Sequence, residues 1–369
     1  MEKKSKSKAW KIIKPILIIL LVLILIVAAY FIYVFVDYHR IDDNQKLTIK
    51  DNVSTVCEVG QNYKIVSYNV GFGAYTPDFG FFMDGGTESR AASAESVKKD
   101  FDGITAFLKS EDPDFMMIEE VDIDSTRSYH VDQQTILEKA FPGYDSVFGC
   151  NYDSPFLFYP IFEPHGKSVS GIMTFSKFNM TDSLRRSLPI EESVMKLVDL
   201  DRCYTITRVP TSNGKELVLF TVHLSAYSSD GSIGVKQLKM LLDDMQAEYN
   251  KGNYCIAGGD FNKDLLGDGK ITSADIFGID QGGLTWAQPI DPEILKGYNV
   301  TKVVPFDELN KVPSCRNADG PYNDKQYVVT VDGFFVTDNV TVLLTEVYDT
   351  GFKYSDHNPV YMDFILGDN

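Results

Sequence analysis

Two oxygen-bearing side chains stand one residue apart where an apolar run near the middle of the chain ends. The run passes through Ala257 and two glycines, and Asp260 and Asn262 follow it. Because side chains alternate along an extended chain, both point to the same side of the predicted strand. The glycines before them let a backbone or a phosphate come close. A carboxylate beside a carboxamide suits phosphate chemistry, although the same pair is also typical of an Asx turn.

Polar side chains also mark the ends of other apolar runs. These positions are Asn69, Glu119 with Glu120, His223, Asp332, and Asp356 with His357. Each has an ordinary explanation when taken alone, as a turn residue, a solvated charge or a structural histidine. Taken together, these ordinary explanations become improbable. The combination of these side chains favours an active site assembled from strand ends.

The order of these groups along the chain resembles the endonuclease/exonuclease/phosphatase superfamily of DNase-like, metal-dependent phosphoesterases. The resemblance covers roughly residues 62–366. Its most specific parts are Gly-Asp-Phe-Asn at residues 259–262 and Ser-Asp-His-Asn-Pro-Val at residues 355–360. The chain departs from the family pattern at Glu119, where a glutamine is usual. Glu120 holds the family's metal-binding position, and Glu119 is a competing acid beside it.

The resemblance implies a catalytic role for five side chains. His357 would act as the general base toward water, with Asp332 orienting it and stabilising its charge. His223 would donate to the phosphate or to the leaving oxygen. Asp260 would position the nucleophile, and Asn262 would bind the phosphoryl group in the transition state. Which histidine is the acid and which the base stays open at this point.

The resemblance also implies a divalent cation, Mg²⁺ with Mn²⁺ as the alternative. Glu120 would hold the ion, Asn69 would bind metal-bound water or phosphate, and Asp356 would be a second metal ligand. Hard oxygen ligands suit this ion, which keeps open positions for substrate. The implied substrate-binding side chains are Asn69, Asn262 and His223.

The amino-terminal region predicts a membrane anchor. The first fourteen residues hold six lysines and one acid, and residues 15–36 carry no charge. A bilayer core of about 30 Å needs about 20 apolar residues, so this stretch is long enough to span it. Lysines on its amino-terminal side favour a cytoplasmic amino terminus and an extracellular catalytic domain. A cleaved signal peptide is the alternative, but the apolar run extends beyond a normal signal sequence.

The predicted organisation therefore has four parts. They are a basic cytoplasmic segment at residues 1–14, a transmembrane helix at 15–36, a juxtamembrane segment at 37–61 and a catalytic domain at 62–369. Without the first fourteen residues the chain has a formal charge of 29 − 51 = −22. This charge argues against a broad basic surface for nucleic acid, although it leaves room for a local basic groove. Five widely spaced cysteines without a Cys-x-x-Cys pair predict neither structural zinc nor a disulfide.

Short β-branched runs alternate with helical patterns in the outer part of the chain. Strands are predicted over residues 64–70, 115–118, 170–175, 203–209, 216–223, 254–258, 333–336, 340–345 and 360–365. Apolar spacings of three and four predict helices around residues 97–108 and 235–245. Residues 151–164 and 284–319 are predicted to be long loops. This pattern predicts a layered α/β domain, and the resemblance implies a four-layered αββα sandwich (α+β) of two packed mixed sheets flanked by helices.

The sequence thus predicts a membrane-anchored, extracytoplasmic, divalent-metal-dependent phosphodiesterase, with nuclease-type activity favoured slightly. The alternatives are a phospholipid or sphingomyelin phosphodiesterase, an inositol-phosphate phosphatase, and a non-catalytic surface module that binds a phosphorylated ligand. Aromatic loops at residues 156–162 and 284–286, together with the anchor, favour a lipid head group. The predicted partners are a phosphoester substrate, either nucleic acid or a phospholipid head group, and a lipid bilayer, with no obligate protein partner.

Overall fold

The computed structural model describes residues 8–50, 52–192, 194–197, 200–226, 232–268, 270–279, 286–323 and 325–367. The first half of the predicted basic segment and residues 284 and 285 of the second aromatic loop lie outside these ranges. The chain divides into two compact units, Met1–Arg40 and Ile41–Asn369.

The described residues form helices and strands of ordinary length, apart from one long helix at the amino terminus. The α-helices are α1 Lys8–Asp37, α2 Ala94–Glu111, α3 Gln133–Ala140, α4 Ser232–Tyr249 and α5 Ser273–Phe277. The strands are β1 Gln45–Lys46, β2 Ile49–Lys50, β3 Asn62–Asn69, β4 Phe115–Asp122, β5 Asp145–Asp153, β6 Val169–Ser176, β7 Asp182–Ser187, β8 Cys203–Pro210, β9 Glu216–His223, β10 Tyr254–Asp260, β11 Val300–Val303, β12 Cys315–Arg316, β13 Val328–Val329, β14 Asp332–Thr337, β15 Val340–Val347 and β16 Val360–Leu366. Short 3-10 helices lie at Gly71–Gly73, Thr126–Ser128, Val194–Leu197 and Pro292–Leu295.

Helix α1 makes up most of the first unit. Over Trp10–Asp37 it is long and apolar enough to cross a membrane, and its aliphatic side chains from Ile16 to Val27 are exposed. An apolar helix therefore forms where the sequence predicts a span. An amino-terminal signal sequence can meet the same criteria of length and apolar composition, so membrane anchoring remains a proposal.

Two seven-stranded sheets form the centre of the second unit. The first has the strand order β1-β7-β8-β9-β10-β14-β11, and the second has the order β15-β16-β3-β4-β6-β5-β2. Both sheets are mixed, because β9 pairs in parallel with β10 in the first sheet and β3 with β4 in the second, while their other pairs are antiparallel. Strands β1 and β2 add to the sheet edges from within the segment predicted to be juxtamembrane.

Alternation of side chains along the strands gives each sheet an inner and an outer apolar face. Ile65 and Phe115 of the second sheet share a core with Leu219 and Ile256 of the first. On the outer faces, α2 packs on the second sheet and α4 on the first through buried side chains at helical spacing. The order of layers is helix, sheet, sheet, helix, which confirms the predicted sandwich of two packed mixed sheets flanked by helices.

The nine predicted strands are all present, but some elements were missed. The strands that were not predicted are β1, β2, β5, β7, β11, β12 and β13. Strands β11 and β12 lie inside residues 284–319, which were wrongly predicted to be loop throughout. The predicted loop at residues 151–164 likewise begins within β5. Strand β7 reads as a charged surface segment because it carries Arg185 and Arg186, yet Arg185 is fully buried. Tertiary hydrogen bonds, which a local pattern does not show, hold this guanidinium inside the domain.

Candidate active site

Three neighbouring strands of the first sheet place polar side chains in one row. Strand β9 ends at His223, β10 ends at Asp260, and β14 begins at Asp332. Asp260 is paired with His223 across the parallel strands β10 and β9, and with Asp332 across the antiparallel strands β10 and β14. Gly259 precedes Asp260 with φ of 144°, and a Cβ atom built there would lie 2.0 Å from a backbone oxygen. Only glycine fits at this position, which explains why the apolar run ends on glycine before the acid.

The second sheet contributes side chains from β3 and β4. Asn69 ends β3 and pairs with Glu119 of β4. The pairing of β4 with β6 is irregular between Ile118 and Val121, and Glu120 has φ of 58°. This bulge sends the two consecutive acids in different directions. Glu119 is fully buried, whereas Glu120 lines a cleft at the end of the sheets.

The turn before β16 brings the last two predicted side chains to the same place. Ser355 Oγ donates to the Asn69 carbonyl oxygen at 2.8 Å and accepts from the His357 backbone amide at 3.2 Å. The backbone amide of Arg316 donates to the Asp356 carbonyl oxygen at 2.9 Å. These bonds fix Asp356 and His357 beside the end of β3, where both line the cleft.

Asp260 is the centre of the site. Its Oδ2 atom lies 3.5 Å from His223 Nε2 and 3.8 Å from His357 Nε2. The amide nitrogens of Asn69 and Asn262 donate to the same oxygen at 3.1 and 3.2 Å. The Asn262 backbone amide donates to Asp260 Oδ1 at 2.8 Å, as in an Asx turn. The turn that was the ordinary explanation of this motif is therefore present within the polar site.

Asn69 links the two sheets across the site. Besides its bond to Asp260, its amide nitrogen donates to Glu120 Oε1 at 3.2 Å. Its amide oxygen accepts from the Gly71 backbone amide at 3.0 Å. In this arrangement Asn69 presents hydrogens to both carboxylates and holds them near each other.

His357 forms a tight pair with Asp332. His357 Nδ1 lies 2.8 Å from Asp332 Oδ2, which also accepts from Ser314 Oγ at 2.6 Å. Burial disfavours the charged imidazolium, but the adjacent Asp332 carboxylate outweighs this effect and raises the pKa of His357 well above its ordinary value. His357 Nε2 remains directed toward Asp260 and toward the thiol of Cys315, which lies at 3.5 Å.

The other titratable groups of the site are shifted mainly by burial. Burial lowers the pKa of His223 well below its usual value, and the positive charge of Arg202 acts in the same direction. Burial raises the pKa of Asp260 to about 7, with His357 opposing the rise and Asp332 adding to it. Burial raises the pKa of Asp356 to about 6, again against the influence of His357. Displaced pKa values in a cleft are typical of functional sites.

The cleft that contains these groups has a volume of about 190 Å³. It brings together His223, Asp260, Asn262, Asp356, His357 and Glu120, while Asn69 and Asp332 stand behind this lining and bond to it. The wall of the cleft also includes residues for which the sequence analysis predicted no chemical role. They are Arg127, Asn151, Tyr152, His165, Ser170, Arg202 and Arg316.

Arg127 is the clearest of these additional residues. It lies in a 3-10 helix after β4 and forms a bidentate salt bridge with the buried Asp122. Arg127 Nε donates to Asp122 Oδ2 at 3.1 Å, and Nη2 donates to Oδ1 at 2.9 Å. Its guanidinium also packs over the Phe72 ring at 3.9 Å. No strand-end pattern marks it. The local signal was Asp122, the acid at the end of β4, because a buried carboxylate needs a cationic partner.

The carboxylates of the cleft fit a divalent cation. Glu120 and Asp356 both line the cleft. Burial raises the pKa of Asp356, and the negative charge of Glu120 adds to the rise. A cation held by these carboxylates would offset their repulsion. Within the described ranges, no three His, Cys, Asp or Glu side chains gather into a complete ligand set. Proteins usually bind Mg²⁺ through one or two carboxylates, and water and substrate phosphate complete its coordination shell.

Solved structures share this architecture. An endonuclease/exonuclease/phosphatase from Beutenbergia cavernae is 18% identical, with 83% of this chain and 72% of that chain covered and a TM-score of 0.58. ANGEL2, a 2',3'-cyclic phosphatase, is 15% identical, with 87% and 99% covered and a TM-score of 0.55. At these identities the likeness establishes a common fold.

No curated protein sequence matches the chain. The model of the Endonuclease/Exonuclease/phosphatase family matches residues 66–357, which include every side chain assigned above to the site. The chain therefore belongs to the Endonuclease/Exonuclease/phosphatase family of phosphoester hydrolases.

Proposed function

We propose that this protein is a membrane-anchored phosphodiesterase that depends on a divalent metal and acts outside the cytoplasmic membrane. The observation that carries the proposal is the convergence of His223 and His357 on Asp260, within 3.5 and 3.8 Å of one carboxylate oxygen. Two imidazole rings beside one carboxylate suit a reaction in which one ring takes a proton from the attacking water and the other donates a hydrogen bond to the phosphoryl group or the leaving oxygen.

His357 takes the proton of the attacking water in this proposal. Its Nδ1 is held by Asp332 at 2.8 Å, so Nε2 is the atom that exchanges a proton in the cleft. The water oxygen forms a bond to phosphorus while the bond between phosphorus and the leaving oxygen breaks. General-base action requires the neutral ring, and the raised pKa of His357 therefore predicts that the rate climbs with pH until the ring is deprotonated.

His223 and Asn262 act on the phosphoryl group and the leaving oxygen. The lowered pKa of His223 keeps its ring neutral near pH 7, and a neutral Nε2–H donates a hydrogen bond without carrying a charge. Asn262 is held by its bonds to Asp260 and to the Leu224 carbonyl oxygen, at 2.9 Å for the latter. These two bonds use both amide hydrogens, so Asn262 would exchange its bond to Asp260 for one to a phosphoryl oxygen when substrate binds, and the new bond would stabilise charge there. Asp260 orients the water between the two rings.

The family generally depends on a divalent metal, and we assign Mg²⁺, with Mn²⁺ as the alternative. Glu120 and Asp356 would hold the ion, and Asn69 would bind its water or a phosphate oxygen. When bound, the ion supplies charge stabilisation on the phosphoryl oxygens.

Two substrate classes are proposed. Nuclease-type activity is the first, because it is the common chemistry of the family and the buried side chains of Arg127, Arg202 and Arg316 line the cleft wall. A phospholipid or sphingomyelin head group is the second. It is favoured by the aromatic loop at residues 156–162, in which Phe158 and Phe162 are exposed.

A direct comparison of substrates tests the proposal. The purified full-length protein is incubated with plasmid DNA, RNA and sphingomyelin vesicles in the presence of Mg²⁺. We expect hydrolysis of at least one of them that EDTA abolishes and that His357→Ala reduces by at least 100-fold. Equal product formation by the variant, or activity that survives EDTA, would refute the proposal.

The proposed location has its own test. We place the amino terminus in the cytoplasm and the catalytic domain outside, because lysines precede the apolar helix. Protease added to intact cells should remove the domain and leave a short cell-bound fragment. Protection of the domain until the cells are lysed would contradict this orientation.

A further inference from the structure

An apolar ridge stands beside the cleft. It consists of Phe158, Tyr159, Ile161 and Phe162, whose exposed fractions are 56, 67, 78 and 102%. Four large apolar side chains are thus exposed within five residues of one loop. Scattered apolar residues are normal on a protein surface, but a continuous exposed patch marks an interaction site.

Hydrogen bonds hold the base of the ridge. Leu157 and Gly166 exchange two backbone bonds, at 3.1 and 3.0 Å, and the His165 amide donates to the Tyr159 carbonyl oxygen at 3.1 Å. The Tyr159 ring packs against Phe82 with 5.6 Å between ring centres. The ridge is therefore a fixed feature whose apolar tips remain in solvent, and docking it costs little additional ordering.

The ridge shares a wall with the active-site cleft. His165 closes the loop that carries the ridge and also lines the cleft. Its ring lies 6.0 Å from Phe82, the residue that contacts Tyr159. Met83, next along the chain, also lines the cleft and is 63% exposed. Whatever covers the ridge is consequently placed next to the reacting groups.

We propose that the ridge docks on the surface of a zwitterionic phospholipid bilayer and brings the cleft to phosphodiesters carried by lipids. The proposal rests on the proposed function and favours its second substrate class. Aromatic and aliphatic side chains without intervening charge suit the boundary between head groups and acyl chains. Residues 41–369 carry a formal charge of 28 − 50 = −22, which disfavours an anionic surface and favours neutral lipid.

Two observations favour a bilayer over a protein partner. Only residues 38–44 separate the end of the apolar helix α1 from the first strand of the domain, so a chain anchored by that helix keeps its domain within reach of a bilayer. A stable protein interface buries about 800 Å² and about 20 residues on each partner. Four ridge side chains fall far short of that, whereas a few inserted side chains suffice to dock a domain that is already tethered.

Insertion of the ridge is measured on the full-length protein in phosphatidylcholine nanodiscs. A polarity-sensitive dye is attached through Phe162→Cys, and the control carries it through Leu309→Cys, since Leu309 is an apolar side chain exposed by 93%. Four native cysteines are buried and Cys150 is half-buried, so the dye goes to the introduced thiol. We expect a blue-shifted emission and at least twofold quenching by spin-labelled lipid at position 162 only. Equal spectra and equal quenching at the two positions would overturn the proposal.

A second measurement separates the ridge from the catalytic chemistry. The double variant Phe158→Ser with Phe162→Ser should lose at least tenfold in hydrolysis of sphingomyelin in vesicles, while its hydrolysis of the soluble bis(p-nitrophenyl) phosphate stays within twofold. Equal loss on both substrates would overturn the docking role. If the native protein hydrolyses neither substrate, the proposed phosphodiesterase activity is refuted. The dye measurement then still tests whether the ridge inserts into the bilayer. Self-association in detergent that the double variant abolishes would assign the ridge to a second copy and overturn the bilayer proposal.

Discussion

Replacement of Asp332 by asparagine tests how the site controls its histidine. The Asp332 carboxylate lies 2.8 Å from His357 Nδ1 and is the main influence that raises the pKa of this ring against the effect of burial. Asparagine keeps the size of the side chain and removes the charge. Without that charge, burial dominates, so the pKa of His357 must fall.

The structure bounds the size of this fall. Two unit charges about 4 Å apart attract by about 4 kcal/mol at an effective dielectric constant of about 20. Asp260 and Asp356 remain near the ring and retain part of this attraction, so we expect the pKa of His357 to fall, but by less than the loss of the whole attraction would cause. We also expect kcat to fall by about 10²- to 10⁴-fold, because the ring loses its orientation and its preferred tautomer.

The assay is the pH dependence of kcat/KM with a soluble phosphodiester. If His357 is the general base, the rising limb of the profile moves to lower pH in Asp332→Asn. If it is the general acid, the falling limb moves in the same direction, so the limb that moves identifies the role. Asp338→Asn is the control, because it removes an exposed acid one residue after the same strand. A limb that stays in place, or moves to higher pH, in a variant that melts like the native protein would refute the account of this pair.

Three further predictions follow from the bulge in β4 and the glycine before Asp260. Glu120→Gln should raise the Mg²⁺ concentration needed for half-maximal activity by at least tenfold, whereas Glu119→Gln should change that concentration by less than twofold. If Glu119→Gln has the larger effect, the roles of the two acids are exchanged. Burial raises the pKa of Glu119 above its ordinary 4.5, so the folded state keeps a proton that the unfolded state releases, and stability falls as pH rises above about 4.5. The melting temperature of Glu119→Gln, relative to that of the native protein, should therefore increase from pH 5 to pH 8. A difference between the two melting temperatures that stays constant over this range would contradict the prediction. Gly259→Ala should destabilise the fold by more than about 2 kcal/mol in a denaturant titration, because its Cβ would meet the Val222 carbonyl oxygen at 2.0 Å; Gly143→Ala, with no atom within 4 Å of its Cβ, is the control and should change little.

The strand ends of the site were predictable because each combines two local signals. An apolar run of strand length stops, and a polar side chain follows at once, as at Asn69 and His223. Both signals can be read within about ten residues. The same reasoning located Glu119 and Glu120 but did not say which acid faces the cleft from local pattern alone. The bulge that separates them depends on pairing with β6, which lies some fifty residues further along the chain.

The rest of the site depends on tertiary contacts. Arg127 is a cleft residue because Asp122 and Phe72 hold it there, and its own neighbours in sequence carry no catalytic pattern. Strand β7 was missed for a related reason, since the buried Arg185 makes it resemble a solvated segment. The exposed aromatic loop was visible in the sequence. Its composition did not show whether those rings were in the core or in solvent, and only the fold places Phe162 outside.

The most direct test of the central claim is the hydrolysis of bis(p-nitrophenyl) phosphate by the full-length protein in detergent. We predict Mg²⁺-dependent release of p-nitrophenol that EDTA abolishes and that added Mg²⁺ restores. His357→Ala, compared with the control His130→Ala at an exposed histidine outside the site, should lower the rate by at least 100-fold. Undiminished turnover in His357→Ala, or a rate that EDTA leaves unchanged, would contradict the account.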